Sequence, residues 1–482
     1  MKTTIKIAFL IILMSFYQIV SSQNEVDALR YSQLLHGGTA RYMAMGGAFS
    51  ALGADFSALC TNPAAIGVYK TFEFVITPGL SLTKINSIYN SKYAEDTEYK
   101  INFNNFGVVF TGNLATVQEK PEWKNTQFGF GINRLRDFNA RYMMQGTNSI
   151  NSILNVYSAH AQGFHYTNLD PFDTQLAFNT YLLDTLNGPK DYIQAHYGGA
   201  FQRKTKTISG GVNEMVLTLG GNYNDKLYLG ATLGIPSIKY EETARYAEID
   251  NEDTIPNFKS LTIEDDLKTT GTGFNMKFGL IYRINDWVRL STAFHSPTFY
   301  SMTDIWSVKM FSDLENDRNY DDKSPQGRYE YRLETPMKAI AGLAIVIGGK
   351  GVISGDYEFI DYSTARLREK SGSGVFINQN DTIREKYTAS HNFRVGTEWV
   401  FAPFAIRAGY ALYTSPFKNN INDGAFQIIS GGFGIREQNC SIDLTYAYTL
   451  QNEDYYFYTD VPTPVENELE RHQIIFTFGI KF

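Results

Sequence analysis

Two cysteines in 482 residues, Cys60 and Cys440, are too few for a disulfide framework, and they read as unrelated thiols. Histidine is sparse too: His36, His160, His165, His196, His295, His391 and His472 are scattered, with no H-E-x-x-H spacing to hold a metal. There is no G-x-S-x-G nucleophile turn and no phosphate-binding loop pattern. His295 beside Ser296 is the nearest approach to a base next to a nucleophile, but adjacent strand residues face opposite sides of a sheet. No enzyme chemistry and no cofactor are expected. A net charge of −7 offers no basic surface for nucleic acid. Beyond the first twenty residues, no apolar run approaches the ~20 positions that a spanning helix needs. Aromatic residues are nevertheless abundant, 34 Phe and 32 Tyr, while the mean hydropathy is only −0.26. Many aromatics without long apolar runs is the profile of a transmembrane β-barrel, where lipid-facing and lumen-facing residues alternate between aromatic girdles.

At the start, Lys2 and Lys6 precede the apolar run Ile7 to Val20, which is shorter than a bilayer and ends in Ser21-Ser22. Residues 1–22 read as a secretory signal peptide cleaved before Gln23. Residues 23–70 form a second unit: a short amphipathic helix within EVDALRYSQLL, then the Gly- and Ala-rich run from Gly37 to Gly67. From Phe72 onward the periodicity falls to two, which places an all-β domain over residues 71–482. In the last strand His472, Ile474, Phe476, Phe478, Ile480 and Phe482 share one face, and Arg471, Gln473, Thr477, Gly479 and Lys481 share the other.

Strands are expected near 72–84, 100–112, 126–145, 206–223, 227–245, 267–283, 287–303, 327–347, 352–366, 384–401, 404–414, 424–436, 440–452 and 470–482, about fourteen in all. Tight turns at Asn224-Asp225-Lys226, Asn285-Asp286, Gly348-Gly349-Lys350, Ala402-Pro403 and Glu437-Gln438-Asn439 alternate with longer loops near 85–99, 146–205, 246–266, 304–326, 367–383, 415–423 and 453–469. Short turns on one side and long loops on the other are the asymmetry of an outer-membrane barrel, so the expected fold is a transmembrane antiparallel β-barrel in the cell outer membrane. Connection 113–125, with Lys120-Pro121-Glu122, is longer than that pattern asks. Within the longest loop, Asp170-Pro171 followed by FDTQLAFNTYLLDTL predicts a helix that ends at Asn187-Gly188. The acidic stretch Asp313-Leu314-Glu315-Asn316-Asp317 with Asp321-Asp322 lacks the pattern of a calcium loop and reads as a solvated face near lipopolysaccharide and its bridging ions.

The run A-x-G-G-A-F-S-A-L-G-A-D-F-S-A-L-C-T-N-P-A-A-I-G resembles the N-terminal hatch of the FadL/TodX family, outer-membrane channels for long-chain fatty acids and other hydrophobic molecules. Two departures stand out: a single acidic residue, Asp55, where family members often have two, and Ala65 in place of the usual Gly after N-P-A. The resemblance implies passive uptake of hydrophobic small molecules, such as fatty acids or aromatic hydrocarbons, by a monomer embedded in outer-membrane lipid. It implies a hatch inside the lumen, with Gly46, Gly47, Asp55, Asn62, Pro63 and Ala64 as gate residues. It also implies an apolar capture site on the extracellular loops, for which Phe172, Leu176, Phe178, Tyr181, Leu182 and Leu183 are candidates, and sideways exit at a kink in the third strand, where RLRDFNA from Arg134 to Ala140 is irregular. Strand phase turns Glu214, Lys277, Arg283, Arg289, Asp356, Glu358, Arg394, Glu398, Arg407, Asp443 and Arg471 into the lumen. Of these, Arg289, Arg394 and Arg407 are candidates to meet a carboxylate. Three other readings stay open: a scaffold or secretion-system partner, as some FadL-like barrels are in type IX secretion; a barrel lipase using a rim serine; and a haem-type ligand receptor with His36 as iron ligand.

Overall fold

The computed structural model describes residues 24–35, 37–113, 122–316, 318–370 and 375–482. The expected signal peptide, His36, Asp317 and residues 114–121 of the long second connection lie outside them. Fourteen antiparallel strands follow one another round a closed barrel: β1 (Glu73–Tyr89), β2 (Lys92–Asn113), β3 (Trp123–Asp137, continued by Ala140–Thr147), β4 (Phe201–Tyr223), β5 (Leu227–Ile249), β6 (Ser260–Arg283) and β7 (Val288–His295, continued by Phe299–Leu314). Then come β8 (Arg318–Lys323, Gly327–Glu334 and Lys338–Ile347), β9 (Gly351–Asp361, continued by Arg366–Glu369), β10 (Ala389–Phe401), β11 (Phe404–Tyr413), β12 (Phe426–Arg436), β13 (Cys440–Tyr455) and β14 (Val465–Lys481). Pairing of β1 with β14, from Glu73 opposite Lys481 to Ile88 opposite Glu466, closes the wall and leaves no free first or last edge.

Alternation assigns the two faces. On β14, Ile474 and Phe476 are exposed to the outside, while Arg471, Ile475 and Thr477 are buried inside. Trp123, Trp287, Trp399, Phe401, Phe404 and Phe482 are exposed beside the tight turns and form an aromatic girdle at that rim. Among the described residues no helix is long and apolar enough to cross a membrane.

At the opposite rim the strands run further than the apolar pattern indicates. The expected loop 85–99 is a two-residue turn at Asn90-Ser91 between β1 and β2. Most of 304–326 is likewise strand, Lys309 pairing with Lys323 and Leu314 with Arg318, so part of the expected acidic loop is ladder. The reason is physical: beyond the bilayer a strand no longer needs apolar residues on its outer face, so alternation of hydrophobicity stops before the hydrogen-bond ladder does. β10 begins at Ala389 rather than 384, because Ile377–Lys386 is a helix.

The long loop between β3 and β4 also differs. Its helix near 172–187 is only Thr174–Asn179; Tyr181 then takes a positive φ of 56°, and Leu183–Thr185 pairs with Tyr192–Gln194. A second helix, Ile153–Ala161, starts from a capping box in which Leu154 N donates to Ser152 Oγ at 3.0 Å and Ser152 N donates to Asn155 Oδ1 at 3.0 Å. Beneath it lies the buried carboxylate of Glu248 on β5. It accepts from Ser152 Oγ at 2.5 Å, Ile153 N at 3.0 Å, Gln202 Nε2 at 3.0 Å and Tyr246 OH at 2.6 Å, and it pairs with His196 Nε2 at 2.9 Å. The loop is therefore fastened to the barrel rim through one fully satisfied carboxylate.

Candidate functional site: the lumen cavity and the break in the third strand

The segment from Thr39 to Tyr69 lies inside the barrel, nearly all of it buried. It consists of short pieces, each started by its own cap. Tyr42 N donates to Thr39 Oγ1 at the start of Ala40–Ala44. Ser57 N donates to Asp55 Oδ1 at 2.9 Å before the turn Phe56–Cys60, and Ala64 N donates to Asn62 Oδ1 at 3.0 Å before Pro63–Val68. Asp55 also accepts from Thr39 Oγ1 at 2.8 Å, joining the start of the segment to its middle; burial raises its carboxyl, against the pull of Arg41 and Thr39. Asn62 Nδ2 donates to Ser50 O at 2.7 Å.

The wall meets this segment from β2 round to β14. Glycines let backbones touch: a Cβ on Gly230 would stand 2.2 Å from Pro63 O, one on Gly279 1.8 Å from Asn62 Oδ1, and one on Gly409 2.1 Å from Gly46 N. Gly46 and Gly47 themselves have φ of 61° and 75°. Carboxylates fasten the rest. Arg41 Nε and Nη2 each donate to Glu398 at 2.8 Å, a two-pronged pair, and Phe49 N, Ser50 N and Ser50 Oγ donate to Asp356 at 3.1, 3.0 and 2.5 Å. On the seam side Ala40 N donates to Thr477 Oγ1 at 2.7 Å and Thr445 Oγ1 donates to Ala40 O at 2.6 Å.

Toward the long-loop side lies a cavity of about 790 Å³. Leu29, Leu35, Met43, Phe138, Tyr142, Ile208, Tyr240, Phe417 and Ile428 give it an apolar lining, with Arg136, Lys206, Glu453 and Arg471 among its polar groups. One side of it is the helix Glu25–Ser32, whose outer end is tied to a loop by Lys386 Nζ on Glu25 at 2.6 Å and Tyr387 OH on Glu25 O at 3.1 Å. An adjoining cavity of about 70 Å³ shares Leu35, Gly37 and Leu135 with it and reaches the charged or polar groups of Glu214, Lys277, His295, Lys338, Glu358 and Arg394.

The larger cavity abuts an interruption in the wall. β2 pairs with β3 only from Asn105 opposite Asn133 to Asn113 opposite Asn125, and among the described residues Lys92–Asn104 pairs with β1 alone. Within β3 the register against β4 shifts between Arg134 and Arg136, and the strand is interrupted at Phe138-Asn139. Phe138 turns inward onto Tyr31 and Tyr240, ring centroids 6.1 and 5.4 Å away.

Of the loop residues singled out in the sequence, Leu176, Leu182 and Leu183 are buried in a cluster under the long loop, Phe172 lies against Trp306 at 5.6 Å, Phe178 stacks on Tyr166 at 5.8 Å, and Tyr181 is exposed beside Tyr320. None of them lines the large cavity. The three arginines face inward as expected: Arg289 Nη1 donates to Leu52 O at 3.0 Å, Arg394 pairs with Glu358 at 3.4 Å, and Arg407 pairs with Glu398 at 2.5 Å and Asp443 at 2.6 Å. Sequence reading missed Leu29, Phe138 and Tyr240 as cavity residues, because nothing local marks an inward aromatic as lining rather than filling.

Asp27, buried on the helix Glu25–Ser32, pairs with Arg30 at 2.5 Å. Burial lifts its carboxyl to about 6, against Arg30 and with help from Asp304. A carboxyl raised in the docked state disfavours docking while ionised, so docking strengthens as pH falls from 7 through 6 and levels off near the ordinary value of 3.8. A fluorescent label at the half-exposed Val26 is expected to report a more firmly held helix at about pH 5 than at about pH 8. Asp27→Asn should be firm at both; equal pH dependence in the two proteins would refute the assignment.

No family model matches the chain, and no curated protein matches it in sequence. Solved structures do. The toluene transporter TodX of Pseudomonas putida aligns with 93% of this chain and 99% of its own, at TM-score 0.53 and 13% identity. A FadL homologue of Pseudomonas aeruginosa covers the same shares at TM-score 0.53 and 12% identity, and the toluene transporter TbuX of Ralstonia pickettii does so at 0.50 and 13%. TodX and TbuX are both transporters of toluene. With fourteen strands closed round a buried N-terminal segment, the chain has the fold of the FadL/TodX-type barrels of hydrophobic-compound transport.

Proposed function

We propose that the chain is an outer-membrane channel for passive uptake of hydrophobic small molecules, such as long-chain fatty acids or aromatic hydrocarbons. It is exported by residues 1–22 and works as a monomer. Residues 23–70 are the hatch and 71–482 the barrel, with Gly46, Gly47, Asp55, Asn62, Pro63 and Ala64 setting the hatch's shape and its fit to the wall. The observation that carries the reading is the juxtaposition of a largely apolar cavity with an interrupted wall. A volume of about 790 Å³ suits one small ligand, and removing apolar surface from water supplies ~25 cal/mol per Å² without covalent chemistry. The exposed or half-buried rings of Phe172, Phe178 and Tyr181 collect ligand above the rim, while Leu176, Leu182 and Leu183 hold their loop down. Below the cavity the route is charged and hydrogen-bonded, with Lys277 on Glu214 and Arg394 on Glu358, so an apolar molecule leaves sideways at Asp137–Ala140.

The test is organic extraction and mass spectrometry of the gently solubilised barrel beside Ile208→Glu, which puts a charge into the cavity lining. A fatty acid or aromatic hydrocarbon retained by the parent and lost from the variant is the expected result. An empty parent barrel that brings down a partner protein would overturn the reading in favour of a scaffold.

A further inference from the structure

Building on the sideways route, we propose that Arg471 is the positioning residue that holds the third strand broken and so keeps the wall open. Peptide groups that leave a ladder inside a membrane wall must find other partners. At the break, Phe138 N donates to Gly210 O at 3.2 Å. The carbonyls of Asp137 and Asn139 are taken by one guanidinium: Arg471 Nη1 donates to Asp137 O at 2.9 Å and Nη2 to Asn139 O at 3.1 Å. Arg471 is itself steered by Nε donating to Thr83 Oγ1 at 3.0 Å, on the β1 residue opposite it in register. The Asp137 carboxylate completes the fastening. It accepts from Asn102 Nδ2 at 2.6 Å on β2, from Asn139 N at 3.0 Å and from Arg134 Nη2 at 3.1 Å. Strands β14, β1 and β2 thus converge on Asp137, the last ladder residue of this part of β3, and on Phe138 and Asn139, which belong to no ladder.

The guanidinium is suited to this because its planar fork serves two carbonyls two residues apart, which the single ammonium of lysine cannot do in the same geometry. Without it, the two buried carbonyls lose their donors, and the nearest replacement is the free edge of β2. The turn at Asn90-Ser91 makes Tyr89 and Lys92 the first exchanging pair of the hairpin, so alternate residues Tyr93, Glu95, Thr97, Tyr99, Ile101 and Phe103 point their amides away from β1. A straightened β3 would pair there and close the wall.

Hydrogen exchange at those amides in the folded, detergent-solubilised barrel reads the state of the wall, and uptake of radiolabelled oleate by cells reads transport. Thr97 N is held by Asp96 Oδ1 at 2.8 Å; the other five amides are expected to exchange freely in the parent, to slow by about tenfold or more in Arg471→Met, and to slow likewise in Arg471→Lys, since charge alone does not restore the fork. Should Arg471→Met fail to fold, Arg471→Lys carries the same reading. Unchanged exchange in a folded variant would overturn the role of Arg471 whatever happens to uptake. Slowed exchange with uptake intact would leave Arg471 as the latch and remove the sideways route; slowed exchange with uptake lost supports both.

Discussion

A barrel lacking residues 24–69 is expected to conduct ions freely in a planar bilayer, at least about tenfold more than the intact protein, because a fourteen-stranded wall encloses more space than its own side chains fill. The wall should survive the deletion. Its strand register makes no use of the segment, and Glu398, which would lose Arg41, keeps Arg407 at 2.5 Å and Arg436 at 3.2 Å. Asp356 would lose the Phe49 and Ser50 donors but regain water. A shift in gel mobility on heating would confirm that the variant barrel is folded. If a folded barrel without the segment stays as closed as the parent, residues 24–69 are not the hatch.

Excising Phe138 and Asn139 is expected to lower oleate uptake by about tenfold or more, to the level of cells without the channel. A two-residue deletion preserves the alternation of faces, so Ala140 and the residues after it keep their inward or outward sense while the interruption disappears. The residues freed from the break then continue the ladder toward Lys92–Asn104. Binding of oleate to the purified protein should change far less than uptake, because the cavity keeps Leu29, Met43, Ile208, Tyr240 and Ile428. Loss of transport with binding retained separates exit from capture. Full uptake through the straightened wall would show that ligand leaves another way.

Much of the wall is visible in the sequence because each strand states its own two faces. Ile442, Leu444 and Tyr446 point outward and Asp443 and Thr445 inward, as their alternation indicates, and the tight turns fall where Asn, Asp, Gly and Pro cluster. What failed were features with no local cause. The strands outrun their apolar pattern above the bilayer, as at Lys92–Glu98, where nothing requires hydrophobicity. The helix near 172–187 stops at Asn179 because the chain turns at Tyr181 to make a small hairpin. RLRDFNA reads as irregular, but its break depends on Arg471, 334 residues away along the chain. Cavity residues such as Leu29, Phe138 and Tyr240 come from three separate stretches, so no window of sequence displays them together.

The wall glycines carry a consequence for how the molecule is made. Gly230, Gly279 and Gly409 leave so little room that the buried segment touches strand backbone directly, and Ala40 is bonded to Thr445 and Thr477 on the last two strands synthesised. A segment made before the whole wall is thus finished only with its last strands. Its bonds to β13 and β14 can form only when strands more than four hundred residues downstream arrive, and it is enclosed as β1 meets β14. Its many small residues and short capped turns suit a chain that stays supple during that interval and sets only when the barrel shuts around it.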